Sequence, residues 1–326
     1  MASLDGAPKL VGIAKLAAQS LPLEEKRRVD YRELTTRSIL SRCDSPRMPF
    51  RWMINPYRGC EFGCKYCYAR YTHEFMELRD PQDFERRIFV KNIDPRAIHA
   101  EFRKLRVGET IAIGTATDPY QPAERRFGLT RTILEALAET SGFRIGLITK
   151  SDLIARDIPL FQNIAQRHYL TLISTITTLD RDLARQLEPL APRPDLRVAT
   201  VRKLAAAGLR VVINVCPILP LLNDSDPSID AVARATARAG AVGLHGNVVF
   251  LKDSAKQVFF PFLESQYPHL VRRYHERFDR DAYLRGAYPE AIRECVQRIR
   301  KRYNLEGGEQ PQPEFWPEDP QLKLFV

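Results

Sequence analysis

The pattern of apolar and polar positions changes character at Trp52. Before it, residues 1–48 are mixed in charge and poorly periodic, with one amphipathic stretch through Val11, Ile13, Leu16 and Ala17. Such a segment predicts an N-terminal extension that wraps the main domain or moves against it. From Trp52 onward, short apolar runs at 52–54, 110–114, 143–148, 169–176, 209–215 and 244–251 read as strands. Between them, helices are expected at 95–105, along Leu129, Ile133, Leu134 and Leu137, at 158–166, at 180–187, through Val198, Val201 and Ala205 to Gly208, and at 229–238. Strands separated by helices of this length imply right-handed crossovers and a parallel sheet. The fold class is therefore α/β, a partial (β/α)6 TIM-like barrel over residues 49–255. Residues 256–303 predict a C-terminal helical cap, with helices at 257–270 and 289–303. In the second, Ile292, Cys295, Ile299 and Tyr303 share one face. Arg293, Arg298, Arg300, Lys301 and Arg302 lie largely opposite, as a solvated face or a nucleic-acid contact. Residues 304–326 turn to proline, glycine and acids, which reads as a flexible tail.

In parallel α/β folds, ligands sit at the C-terminal ends of the strands. The first strand leads into Asn55–Arg70, NPYRGCEFGCKYCYAR, where Cys60, Cys64 and Cys67 are separated by three and then two residues. Three thiolates on one loop can hold three irons of a cubic four-iron, four-sulfur cluster and leave the fourth open. The other reading is a zinc knuckle with His73 as fourth ligand, although zinc sites usually pair two close cysteines with a second, distant pair that this chain lacks. The later strand ends carry Thr115, Thr117 and Asp118 in GTATDPYQPAE, Lys150 in ITKSD, Ser174 and Thr175 with Thr177 and Thr178, and Asn214 with Cys216.

Cys-x3-Cys-x2-Cys with an aromatic, Tyr66, before the third cysteine resembles the signature of the radical S-adenosylmethionine superfamily. The resemblance implies a [4Fe-4S] cluster whose open iron chelates S-adenosylmethionine (SAM). A reductant such as flavodoxin or ferredoxin would supply the electron, and cleavage gives a 5′-deoxyadenosyl radical. It further implies cofactor contacts among Tyr66, Thr115, Thr117, Asp118, Lys150, Ser174, Thr175 and Asn214. Asp118 matches the family's polar strand-end motif in position rather than in letter, and a loop-turn role for Asp118-Pro119 is the alternative. Cys216 is a candidate hydrogen donor; buried cysteines are otherwise inert packing.

The phrases SRCDSPRMPF, INPYRGCEFGCKYCYAR, GTATDPYQPAE, LITKS, TITTLD and PILPLLND together resemble the spore photoproduct lyase-like group, also called DNA repair photolyase-like, from about Ser38 to Leu263. Spore photoproduct lyase reverses a thymine dimer with a cysteine donor some tens of residues after its cluster. This chain has no cysteine between Cys67 and Cys216.

Composition bounds the rest. With 326 residues, 44% hydrophobic and 28% charged, the chain is long enough for one sizeable domain with additions. No apolar run approaches a membrane span and no convincing signal peptide opens it, so a cytoplasmic protein without membrane partners is expected. Six cysteines, with Cys43, Cys216 and Cys295 scattered, make no disulfide framework. The formal charge of +10 favours polyanions such as DNA. At the end, QLKLF resembles the pentapeptide by which bacterial DNA-processing proteins bind the replication sliding clamp. Gln321 would anchor it, Leu322, Leu324 and Phe325 would be its apolar contacts, and Lys323 departs from the pattern. The leading expectation is a radical SAM enzyme acting on DNA. The alternatives are a radical enzyme modifying RNA, a protein or a small molecule, and a noncatalytic iron-sulfur or zinc protein that binds nucleic acid.

Overall fold

The computed structural model of the chain describes residues 10–26, 29–46 and 48–317. Its strands are β1 (Pro22–Lys26), β2 (Val29–Thr35), β3 (Leu40–Arg42), β4 (Trp52–Ile54), β5 (Tyr57–Arg58), β6 (Arg87–Asn92), β7 (Thr110–Ile113), β8 (Arg144–Thr149), β9 (Tyr169–Thr175), β10 (Val211–Ile218) and β11 (Gly243–Val248). The larger sheet has the order β11-β10-β9-β8-β7-β4-β3. It is parallel from β4 to β11, and β3 joins antiparallel at the edge. All six expected strands are present, and they form the six parallel strands of a partial barrel.

The helices between them begin where side chains satisfy the first free N–H groups. Asp94 accepts from Arg96 N at 2.8 Å, with Pro95 in the first turn. Asp180 accepts from Asp182 N and Leu183 N at 2.9 and 3.0 Å. Strand alternation then sorts the core. Ile111, Ile113, Ile145, Leu147, Leu170, Leu172, Val211 and Ile213 pack outward in the main core. Ala112, Gly146 and Val212 lie on the other, inward face.

Two expectations need correction. The helix Ala287–Arg302 is the last outer helix of the barrel rather than a cap, because Gly246 of β11 lies directly beneath it. A Cβ at Gly246 would stand 2.9 Å from Val296 Cγ2. Three of that helix's five cations also work inside the chain: Arg298 pairs with Asp226, Arg302 with Asp230 at 2.7 Å, and Arg300 donates to Leu305 O and Glu306 O. The helices Asp253–Gln266 and Val271–Phe278 instead bury Phe259, Leu263, Tyr274 and Phe278 in a second core with Phe62, Tyr66 and Phe84 of the cysteine region.

The N-terminal extension, for its part, builds a second sheet of order β1-β2-β6-β5, in which β2 runs parallel to β6 from Asp30↔Arg87 to Thr35↔Asn92. Above it, Ala17 of the helix Gly12–Ala18 packs with Leu34, Met76 and Phe89. Residues 304–317, expected as flexible tail, form a docked strap along the N-terminal edge of the strands. Gly307 N donates to Val242 O at 2.9 Å and Phe315 N to Gln166 O at 2.8 Å. Trp316 meets Tyr169 edge-on at 4.7 Å, and Arg144 stands 4.4 Å over the same tyrosine. Buried Leu305 and these aromatic anchors supply what the polar composition conceals. Gln321, Leu322, Leu324 and Phe325 lie outside the described residues.

Candidate active site

The loop carrying Cys60, Cys64 and Cys67 turns through left-handed glycines, Gly59 at φ +85° and Gly63 at +63°. A Cβ at Gly59 would stand 2.8 Å from the carbonyl oxygens of Phe84 and Arg87, so only glycine fits. Arg70, with a fully buried side chain, closes the loop by donating to Cys64 O at 3.0 Å, Pro81 O at 2.6 Å and Glu85 at 2.5 Å. From the β7 side, Thr117 and Gln121 donate to Gly59 O at 2.6 and 3.0 Å, and Gln121 accepts from Glu61 N at 2.9 Å. Thr117 therefore grips the cysteine loop. Gln121, which the sequence reading passed over, does the same.

The other strand ends converge on this loop. Asn55 accepts from Ala116 N at 2.7 Å and donates to Thr115 Oγ1 at 3.0 Å, and the Tyr68 hydroxyl donates to Thr115 O. Asp118 accepts from the Thr149 hydroxyl at 2.6 Å, Tyr120 N at 2.9 Å and Lys150 N at 2.7 Å. Its carboxylate clasps β7 to β8 and retains roughly one acceptor position of four. Burial raises its pKa, and the three hydrogen bonds pull the other way.

Register decides which residues face the lumen. Thr175 pairs with Asn214, and Asn214 with His245, on the inward face of β9, β10 and β11. Ser174 pairs with Thr149 and Ile213 and so faces the outer helices. Lys150, just past β8, keeps the inward parity of Ile148, and its Nζ lies 5.8 Å from the centre of the Tyr66 ring. Cys216 follows Asn214 on the same face, where its Sγ accepts from Asn247 N at 3.1 Å. Burial pushes this thiol up to about 12, against the pull of Asn247 N–H and Lys150. The Lys150 charge thus acts on Cys64 on one side of the lumen and on Cys216 on the other.

Behind Tyr66 lies a buried ion pair that the sequence reading missed. Arg197 contacts Glu188 at 2.5 Å, and both side chains are almost wholly enclosed. Glu188 also accepts from the Tyr66 hydroxyl and from Thr177 at 3.2 Å, and Arg197 donates to Pro192 O at 2.7 Å and Thr175 O at 3.2 Å. Burial alone would raise the Glu188 pKa, but the Arg197 and Lys150 charges outweigh it and hold the carboxyl below its ordinary range. In sequence, these two residues look like any of the charges along exposed helices.

The donor set fits a [4Fe-4S] cluster. Three free thiols stand on one enclosed loop; burial pushes each of them up, while Lys150 and Arg70 pull Cys67 down and Lys150 pulls Cys64 down. Ligation by a metal takes the proton from such thiols, and nearby cations favour that. Among the described residues no three His, Cys, Asp or Glu side chains converge as one ion requires; a cluster, whose cysteines bind separate irons, makes no such demand. His73 turns toward Arg87 O, 3.1 Å from Nε2, with its ring against Phe84 and Phe89.

The sequence profile described as the Radical SAM superfamily matches residues 54–231, more than half of the chain. The chain belongs to the radical SAM superfamily. It is a radical SAM enzyme, and its cofactors are a [4Fe-4S] cluster and SAM. An uncharacterized protein of Mycobacterium tuberculosis is 36% identical over 287 residues, 87% of this chain and 84% of that protein. One from Methanocaldococcus jannaschii is 28% identical over 218 residues, 67% of this chain and 77% of that protein. In fold, the chain is similar to spore photoproduct lyase complexed with dinucleoside spore photoproduct, with a TM-score of 0.62 and 18% identity over 92% of this chain and 85% of the other.

Proposed function

We propose that this radical SAM enzyme acts on DNA, at a damaged base. The observation that carries the reading is an aromatic rim beside the cysteine loop. Tyr68, next to Cys67, lies 5.0 Å from Phe250, which stacks on Tyr283 at 5.1 Å. Tyr68 and Tyr283 are exposed. Exposed aromatic rings offer stacking surfaces to unpaired bases, and the excess of cations suits a polyanion. The fold shared with a lyase complexed with a dinucleoside photoproduct points the same way.

Cys60, Cys64 and Cys67 hold the cluster in this reading. Bound there, the cluster and SAM supply one-electron cleavage and hydrogen-atom abstraction. Tyr66 and Lys150 line the lumen beside them, and Thr115, Asp118, Thr175 and Asn214, at the surrounding strand ends, are the polar groups we assign to SAM. Thr117 acts through the Gly59 carbonyl that it grips, and Ser174, on the outward face, is not among the groups assigned to SAM. Cys216 faces the same space, and because burial keeps its thiol protonated, its S–H remains available as a hydrogen-atom donor. An external reductant, flavodoxin or ferredoxin in class, supplies the electron, and a reducing cytoplasmic compartment suits the free thiols. No helix among the described residues is long and apolar enough to cross a membrane.

The test is anaerobic turnover with dithionite on ultraviolet-damaged, undamaged and absent DNA, with the DNA deuterated. Damaged DNA should raise 5′-deoxyadenosine formation and pass deuterium into it. Equal formation without DNA, and no label transfer, would reject DNA as substrate. We further propose that Gln321, Leu322, Leu324 and Phe325 dock on a sliding clamp. Titrating a labelled C-terminal peptide against purified clamp tests this, and no binding at micromolar levels rejects it.

A further inference from the structure

Two cations share one face of the small sheet without a counterion among the described residues. Arg58 stands opposite Phe89 in the antiparallel β5–β6 pair, so Lys91, two residues further along β6, is its diagonal neighbour. Lys91 is only 8% exposed, and among the described residues no ion pair or hydrogen bond reaches its ammonium group. Glu101 acts on it from a distance, but that carboxylate is held by Ser38 Oγ at 2.9 Å, Ile39 N at 3.1 Å and Leu40 N at 3.2 Å. Arg58 Nε is buried with no hydrogen bond among the described residues. The group that acts on the Arg58 charge is Tyr71, and over the Tyr71 ring stands Lys252 Nζ, 3.6 Å from its centre. Asp253, beside Lys252 in sequence, turns to Lys256 at 3.4 Å. Enclosed cations without an anion are costly. Lys91 registers the cost: burial, with the Arg58 charge, lowers its pKa to about 8.

We propose that Arg58, Lys91 and Lys252 form a phosphate track that leads a single DNA strand to the aromatic rim. Lys252 lies two residues beyond Phe250, so the track and the rim are continuous. The occupant is a phosphodiester strand with unpaired bases, since the cations call for anions and the rings at the end of the track call for bases. The inference rests on the DNA reading above.

Fluorescence anisotropy of the full-length holoenzyme with labelled single-stranded DNA, over a salt series, tests it. Each phosphate neutralised contributes about −0.7 to the slope of log affinity against log salt. The triple variant Arg58→Gln, Lys91→Gln, Lys252→Gln should flatten the slope by about 2, and Lys252→Gln alone by about 0.7. Between 50 and 200 mM salt the triple variant should then lose about 18-fold less affinity than wild type. Lys252→Arg should keep the wild-type slope. If the triple variant does not fold, the Lys252→Gln slope decides. Unchanged slopes on a wild type that binds DNA would overturn the track and leave the DNA reading standing. A wild type that binds no DNA would overturn both.

Discussion

Replacing Arg197 by Met keeps most of the side-chain volume and removes the cation that faces Glu188 at 2.5 Å. Glu188 has no exposed side-chain surface, so its carboxylate cannot turn to water, and Lys150 and the Tyr66 hydroxyl remain its nearest compensation. Breaking a buried pair from one side costs about 3–5 kcal/mol. With Lys150 still present we take the lower end, about 3 kcal/mol. For 326 residues, at about 2.1 cal/mol/K each, the unfolding entropy is about 0.7 kcal/mol/K, so Tm should fall by about 4 °C. The pH dependence follows from linkage. In the wild type the Glu188 pKa is depressed, so its stabilisation is present above the unfolded carboxylate value and is lost as pH falls through the lower folded value. In Arg197→Met, burial dominates and the folded pKa rises, so the penalty is full at neutral pH and relieved on acidification. Thermal melts at neutral pH and near pH 5 should therefore show the gap between the two proteins narrowing in acid, and Glu188→Gln with Arg197→Met should recover most of it. A neutral-pH loss below about 1 °C, or a gap that widens in acid, would refute the argument.

Other perturbations probe other links. Gly114→Ala forces a side chain onto φ +89° with its Cβ 2.5 Å from Ile148 O; strain and overpacking together should cost about 3–5 kcal/mol, visible as a lowered Tm or loss of soluble protein. Trp316→Ala removes the half-buried anchor on Tyr169 and should cost about 2 kcal/mol, with faster proteolysis of the strap as the sharper readout. Cys216→Ala should leave 5′-deoxyadenosine formation in place while product from DNA falls, and undiminished product would remove Cys216 as donor.

The barrel was legible because strands covered on both faces leave apolar runs, and because the cysteine spacing is local. The small sheet was not: β2, VDYRELT, carries charges through its length, and its pairing with β6 joins segments far apart in sequence. The reading of residues 304–317 failed for a related reason, since their composition is polar while Leu305 and Trp316 fix them. Within the site, the sequence placed the candidate residues at strand ends but did not give their directions. TLISTITT contains several hydroxyls in a row, and only the register separates inward Thr175 from outward Ser174. Glu188 and Arg197 carry no local signal, because burial made by tertiary packing is what distinguishes them.

The central claim is that the Cys60–Cys64–Cys67 loop is the reaction centre. It is tested most directly by measuring iron content and 5′-deoxyadenosine in anaerobically reconstituted wild type and in Cys60→Ala, Cys64→Ala and Cys67→Ala, with SAM and dithionite. Wild type should bind four irons and form 5′-deoxyadenosine, and each variant should lose that activity. A wild type that binds iron yet forms none, or a variant that still forms it, would contradict the account.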